Sequence, residues 1–141
     1  MAALVASKSK DRSTKVGAVI VGPDNELRSS GYNGLPRGCD DDVEERHQRP
    51  AKYLFACHAE ASAISHSAMT GTATKGCRMY VTHWPCADCS KLIIQAGITE
   101  VIAPKPDEEF YERWKDSMDA GLSMFREAGV HARAYVAEEC K

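Results

Sequence analysis

The sequence predicts a three-layer α/β/α fold, and three observations carry the prediction. The first half holds two strand-like runs joined by a turn signal, which is a hairpin. The second half alternates strand, helix, strand, helix and strand, the pattern of right-handed parallel crossovers. The third is size: 141 residues, 43% apolar and 27% charged, suit one compact unit with its own core. A single domain over residues 1–141 is expected, without internal repeats or linkers.

In order along the chain, Ala2 to Lys8 can form a short helix. Val16 to Val21 reads as a buried strand, stopped by Pro23-Asp24-Asn25, and Leu27 to Tyr32 returns as its hairpin partner. From Asn33 to about Cys57 the composition turns to Gly, Pro, Asp and Arg. An irregular stretch of that length is more often a functional loop than filler, and it is expected to wall a pocket. Ala61, Ile64 and Ala68 then recur at helical spacing, and Arg78 to Thr82 is a short strand ending before Pro85. Cys89, Leu92, Ile93 and Ala96 mark a second helix stopped by Gly97. Glu100 to Ala103 is the next strand, about Glu109 to Ala128 a helix ended by Gly129, and His131 to Tyr135 the last strand.

Eighteen Lys and Arg face twenty Asp and Glu, a formal charge of -2 that supplies no field able to gather a polyanion, so a nucleic-acid partner is not expected. Residues 1–7 lack the pattern of a signal peptide and no apolar run is long enough to span a bilayer, so no membrane association and a cytoplasmic location are expected. The six cysteines should then be reduced, and read as metal ligands or small core residues.

The informative residues are His58-Ala-Glu60 and Pro85-Cys86-Ala-Asp-Cys89. A catalytic zinc keeps three protein ligands and one open position for water, and one His with two Cys fills that quota. Cys86 and Cys89 share a face at the start of a helix, with Pro85 suited to the first helical position, and the helix N-terminus favours the thiolates. His58 and Glu60 would point apart in mid-helix, so a shared site requires them at a helix end facing a pocket. Glu60 would then stand beside the open position without ligating the metal, take a proton from the water and deliver it to substrate. A lone C-x-x-C also fits a structural or redox site, and a lone H-x-E arises by chance. Their occurrence together, each opening a helix, favours the catalytic reading.

At these residues the chain resembles the zinc nucleoside and nucleotide deaminases, whose signature is H-x-E with P-C-x-x-C. The resemblance is closer to deoxycytidylate (dCMP) deaminases, carried also by Ser13 to Val21, Ser30-Gly-Tyr-Asn-Gly-Leu-Pro-Arg-Gly38 and Tyr80 to Cys89. It implies a cytidine-deaminase-like fold with a five-stranded mixed sheet, hydrolysis of dCMP to dUMP with release of ammonia, and a homo-oligomer, a hexamer or dimer. It further implies that Asn33 binds the sugar, that the Ala59 amide meets the base carbonyl and that the Trp84 carbonyl meets the leaving amine. Many members are activated by dCTP with Mg2+ and inhibited by dTTP, through a site around Gly31, Tyr32 and Gly34. Arg37 is placed by the resemblance near phosphate there, and Asp41, between Asp40 and Asp42, near the ion; three such aspartates also read as a solvated turn. One departure stands out: Ser62 occupies a position where the family commonly has Asn, which bears on substrate choice.

For the substrate phosphate the candidates are Arg12, Lys15, Arg113 and Lys115, with Tyr111 and Ser117 as neutral donors. Trp114 and Phe125 read as core or subunit-interface residues. Cys39, His47 and Cys57 match no tight template for a second zinc, Cys77 and Cys140 read as ordinary small residues, and among the other histidines His83 lies nearest the metal motif. Alternative functions are deamination of dCTP or a C5-modified dCMP, a riboflavin-pathway pyrimidine deaminase, a polynucleotide (tRNA adenosine) deaminase, and a non-catalytic nucleotide-binding domain. The first shares the chemistry; the polynucleotide editor should show a basic stripe, and a pure binder has no use for Glu60.

Overall fold

A computed structural model describes residues 1–135; Cys140 lies outside them. Five strands form one mixed sheet in the order β2-β1-β3-β4-β5. Strand β1 (Gly17–Val21) pairs antiparallel with β2 (Leu27–Tyr32) on one side and with β3 (Arg78–Val81) on the other. Strands β4 (Glu100–Pro104) and β5 (His131–Tyr135) continue in parallel, as the expected crossovers require. Asn25 turns the hairpin in the left-handed region, at φ 65°, which an Asn side chain tolerates.

Period-two alternation sends Ala18, Ile20, Met79, Val81, Val101 and Ala103 into the main core. There they meet Ala59 and Ala63 of α3 (Ala59–Thr70), Ile93 of α4 (Ala87–Gln95) and Phe125 of α5 (Glu108–Ala128). Helix α1 (Ala2–Ala6) covers β1 and β2 from the opposite face. Two glycines record how close these layers come. A Cβ on Gly17 would lie 2.2 Å from the Ala2 carbonyl oxygen, and one on Gly31 would lie 2.4 Å from the Ala63 amide nitrogen. Both obstacles are backbone, so these two neighbours in the sheet, one per face, let a helix rest directly on the hairpin.

That proximity selects the face that α3 buries. Ala59, Ala63 and Ser67 are buried, at i, i+4 and i+8, whereas Ala68 is exposed and Ala61 and Ile64 only half-buried. Small residues face the sheet because α3 lies so near it, and the Ala61-Ile64-Ala68 row is offset from that line. Helix α1 stops at Ala6, where Ser7 bonds back to the Leu4 carbonyl at 2.6 Å, two residues short of the expected end. The irregular stretch after β2 contains a 3-10 turn (Glu44–His47) and a four-residue helix, α2 (Lys52–Phe55). It is closed by reciprocal backbone bonds between Gly34 and Cys57, at 3.1 and 2.7 Å. Among the described residues, no helix is long and apolar enough to cross a membrane.

Candidate active site

Two helix N-termini meet beyond the end of β3. His58 is the N-cap of α3, with extended backbone at ψ 153°. The chain changes direction between His58 and Ala59, which lets His58 and Glu60 address one pocket although they are two residues apart. Cys86 is the N-cap of α4, also extended, and its sulfur accepts the Cys89 amide at 3.5 Å. Helix α4 therefore begins at Ala87, and Pro85 is a buried residue before the cap rather than the first helical residue. Ser117 of α5 accepts the Ala87 amide at 2.8 Å, so this expected substrate donor completes the start of α4 instead.

His58 Nδ1 lies 3.5 Å from Cys86 Sγ and 3.3 Å from Cys89 Sγ, and the three donor atoms converge within 4.8 Å of one another. A tetrahedral zinc with bonds of about 2.1 Å to nitrogen and about 2.3 Å to sulfur sets N and S about 3.5 Å apart, so the group fits that ion. The electrostatics fit too. With the thiols side by side, the hydrogen bond from Cys89, against burial and with His58 helping, holds the Cys86 thiol near pKa 4. The same bond, with burial, drives Cys89 far upward. A thiolate beside a second thiol and an imidazole is the donor set that a zinc ion takes. The bond to Cys86 raises His58.

Glu60 is 4% exposed and is raised by burial, opposed by a bond to its own backbone amide and by His58. A buried carboxyl whose proton affinity is raised, standing beside a metal site, is equipped to accept and return a proton. Glu60 is absent from the group of converging ligand atoms, consistent with a role beside the metal.

The pocket in front of these groups has a volume of about 310 Å3, the scale of a small-molecule site. Asn33, Ala59, Trp84 and Arg113 line it. As the first residue of α3, Ala59 has no intrahelical acceptor for its N–H, which stays free for a ligand. Asn33 already holds the approach to β1: its Oδ1 accepts the Val16 amide and its Nδ2 donates to the Thr14 carbonyl, both at 2.8 Å. One N–H and one lone pair remain.

Other expected residues lie elsewhere. Ser62 is not in the lining; it sits on the flank of α3 toward β2, where His66 Nδ1 meets the Ser30 carbonyl at 2.7 Å. The Tyr111 hydroxyl donates to Asp119 at 2.9 Å, and Lys115 is exposed on α5 outside the pocket. Arg12 pairs with Glu44, and Lys15 is exposed away from the lining. Phe125 is core, whereas Trp114, 41% exposed, lines the pocket. His83 is there as well, edge-on to Phe110 at 5.9 Å. Sequence reasoning missed Asp11, Arg49, Lys52 and Tyr53 as wall residues. For Arg49, Lys52 and Tyr53 the available signal was their place in the irregular stretch already read as a pocket wall; Asp11, ahead of β1, gave none.

Tyr32, Gly34 and Asp41 line a second, smaller cleft of about 60 Å3 with Lys8, Lys10 and Arg46, and it shares Asp11 and Lys52 with the first. Gly31 faces α3, and Arg37 is exposed outside both clefts. Asp41 pairs with Lys10 at 2.7 Å, while the Asp40, Asp41 and Asp42 carboxylates form the other group of potential metal ligands among the described residues. Cys39, His47 and Cys57 form no such group.

The model of the cytidine and deoxycytidylate deaminase zinc-binding region matches residues 1–105. Human deoxycytidylate deaminase is 41% identical over 141 residues, spanning 96% of this chain and 76% of the human one. An uncharacterized deaminase of Aliivibrio fischeri is 43% identical over 130 residues, covering 92% and 85%. Among solved structures, dCMP deaminase from the cyanophage S-TIM5 in complex with dCMP and dUMP superposes with a TM-score of 0.75 at 28% identity, covering 95% of this chain and 90% of that one. With the signature residues assembled at one pocket and this match along the chain, the protein belongs to the cytidine and deoxycytidylate deaminase family.

Proposed function

We propose that the chain hydrolyses dCMP to dUMP and ammonia, with zinc held by His58, Cys86 and Cys89. The observation that carries this is the convergence of three ligand atoms with a buried carboxyl, Glu60, that is left out of the ligand set. The named activity of the relatives supports the choice of substrate. Bound there, zinc supplies a Lewis acid that makes water nucleophilic at neutral pH. Glu60 accepts a proton from the attacking water as the water oxygen bonds to C4, and passes it to N3 of the ring; it then takes the remaining proton from that oxygen and delivers it to the 4-amino nitrogen, which leaves as ammonia while C4=O forms. The Ala59 amide is the donor for the base carbonyl, the Trp84 carbonyl accepts from the leaving amine, and the remaining valences of Asn33 serve a sugar hydroxyl. The experiment is the ultraviolet absorbance change of dCMP with zinc-loaded and with chelator-treated protein. Conversion that disappears with the metal and returns on zinc addition is expected; no conversion by the loaded protein overturns the reading.

The second cleft supports a regulatory reading, in which dCTP with Mg2+ activates and dTTP inhibits. Its cationic lining of Lys8, Lys10 and Arg46 suits phosphates, the carboxylates of Asp40, Asp41 and Asp42 suit a hard cation, and the shared Asp11–Lys52 pair gives it a wall in common with the active pocket. Exposed Tyr53, Leu54 and Phe55 on α2 support assembly of further copies of the chain into a homo-oligomer.

A further inference from the structure

Away from the metal corner, four charged side chains stand in the pocket wall, and their pairing decides what the wall can bind: Asp11, Arg49, Lys52 and Arg113. Asp11 and Lys52 satisfy each other. Lys52 Nζ is 3.1 Å from Asp11 Oδ2 and 2.8 Å from Ser13 Oγ, and the two side chains are each 12% exposed. The guanidinium groups differ. Arg49 has no carboxylate within ion-pair distance among the described residues, and it lies 5.9 Å from the ring centre of Tyr53, another wall residue. Arg113 has only Glu109, at 3.5 Å one turn back on α5, in a solvated pair that contributes little.

The non-metal wall therefore carries two net positive charges, both guanidinium and contributed by different segments. A phosphate monoester carries between one and two negative charges at pH 7, and planar guanidinium forks bind its oxygens in pairs. Lys52, already bonded to a carboxylate and a hydroxyl, is not the free cation. We propose that Arg49 and Arg113 form the clamp for the substrate's 5′-phosphate, each donating to its oxygens, and that they set a preference for a nucleoside monophosphate over the nucleoside. The proposal rests on the nucleotide-deaminase reading and adds the residues that recognise the phosphate. Two guanidinium groups balance one phosphate, so a triphosphate gains nothing from this clamp beyond what a monophosphate gains.

The test deletes the phosphate from the ligand and the guanidinium from the protein in turn. In Arg49→Gln and Arg113→Gln, the ratio of kcat/KM for dCMP to that for deoxycytidine should fall roughly 10- to 100-fold, the effect of losing hydrogen bonds to a charged group. Arg49→Lys should recover part of the ratio. An unchanged ratio overturns the clamp, as does an equal loss on both substrates, which marks a purely structural role. Binding of dUMP and of deoxyuridine, followed by tryptophan fluorescence in zinc-loaded protein, is read alongside. If the protein converts neither substrate, the deaminase reading fails. In that case a dUMP preference lost in both Gln variants still supports the clamp, and no dUMP preference in the unaltered protein overturns it.

Discussion

The metal corner and the outer rim of the pocket are assembled differently. In the corner, His58, Glu60, Cys86 and Cys89 all lie at a helix N-cap or within the first turn, fixed by α3 and α4 against the sheet. At the rim, Arg49, Tyr53, Arg113 and Trp114 are exposed and reach the pocket from two segments far apart in the chain. The corner needs ligand atoms held to tenths of an ångström, which only packed elements supply, whereas the rim needs charge and surface in roughly the right place. Chemistry should therefore be concentrated in the first region and substrate choice in the second, and substitutions can be ranked by that division.

The largest effect belongs to Glu60→Gln. The change keeps shape and removes only the proton carrier, so turnover should fall about 10^3- to 10^4-fold while zinc content, measured by metal analysis, stays that of the unaltered protein. Cys89→Ala, in contrast, should lose both metal and turnover. Substantial turnover in Glu60→Gln would break the division by moving proton transfer away from the corner.

Next comes the support under α3. A Cβ on Gly31 meets the Ala63 amide nitrogen at 2.4 Å and the Ala59 carbonyl oxygen at 2.5 Å, so Gly31→Ala pushes α3, and His58 with it, off the hairpin. Overpacking of this kind costs about 1–3 kcal/mol, and denaturant unfolding should show it. Gly34, at the start of the loop behind the rim, has open space where its Cβ would be, so Gly34→Ala should stay within about 0.5 kcal/mol. Equal costs at the two glycines would contradict the contrast between a packed corner and a permissive rim.

These two regions also differed in how far the sequence disclosed them. His58, Glu60, Cys86 and Cys89 were legible because ligand spacing and helix-end geometry are local properties, and so was the strand and helix order that positions them. The rim was not. Arg113 was one of four indistinguishable cations, and only the fold separates it from Arg12, Lys15 and Lys115; Arg49 and Tyr53 carry no mark beyond their place in the irregular stretch. The core face of α3 was not legible for a related reason, since Ala, Ser and Ile can exchange roles once a glycine-lined strand lets the helix approach.

A smaller effect lies where rim and corner join. Burial raises Asp11, but the Thr14 and Ser13 amides and the Lys52 ammonium outweigh it and hold the carboxyl at a pKa of about 2. A carboxyl lowered on folding stabilises fully above its unfolded pKa, near 4, and this contribution fades as pH falls from there through about 2. Discounted for solvent screening, it is worth about 1 kcal/mol. Asp11→Asn should therefore lower stability by about that amount at pH 7 and by only a small part of it at pH 2, as read from unfolding at the two pH values. A deficit that persisted undiminished at pH 2 would mean that packing, rather than charge, holds this junction.

The smallest effect is expected at Ser62, and it is the sharpest test of where the corner ends. Two residues beyond Glu60 on a helix is a rotation of about 200°, so a side chain at this position is carried around α3 from the one that faces the pocket. It lies on the flank that meets β2, close to Gly31 and one turn before His66, whose ring bonds the Ser30 carbonyl. Ser62→Asn lengthens a side chain on that flank without bringing an amide to the substrate, so zinc content should hold and kcat/KM for dCMP should stay within about twofold of the starting value, inside the small range of substitutions that touch no site group. A tenfold change would mean that the α3–β2 seam transmits strain to Glu60, and the corner would then extend through Gly31 into the hairpin.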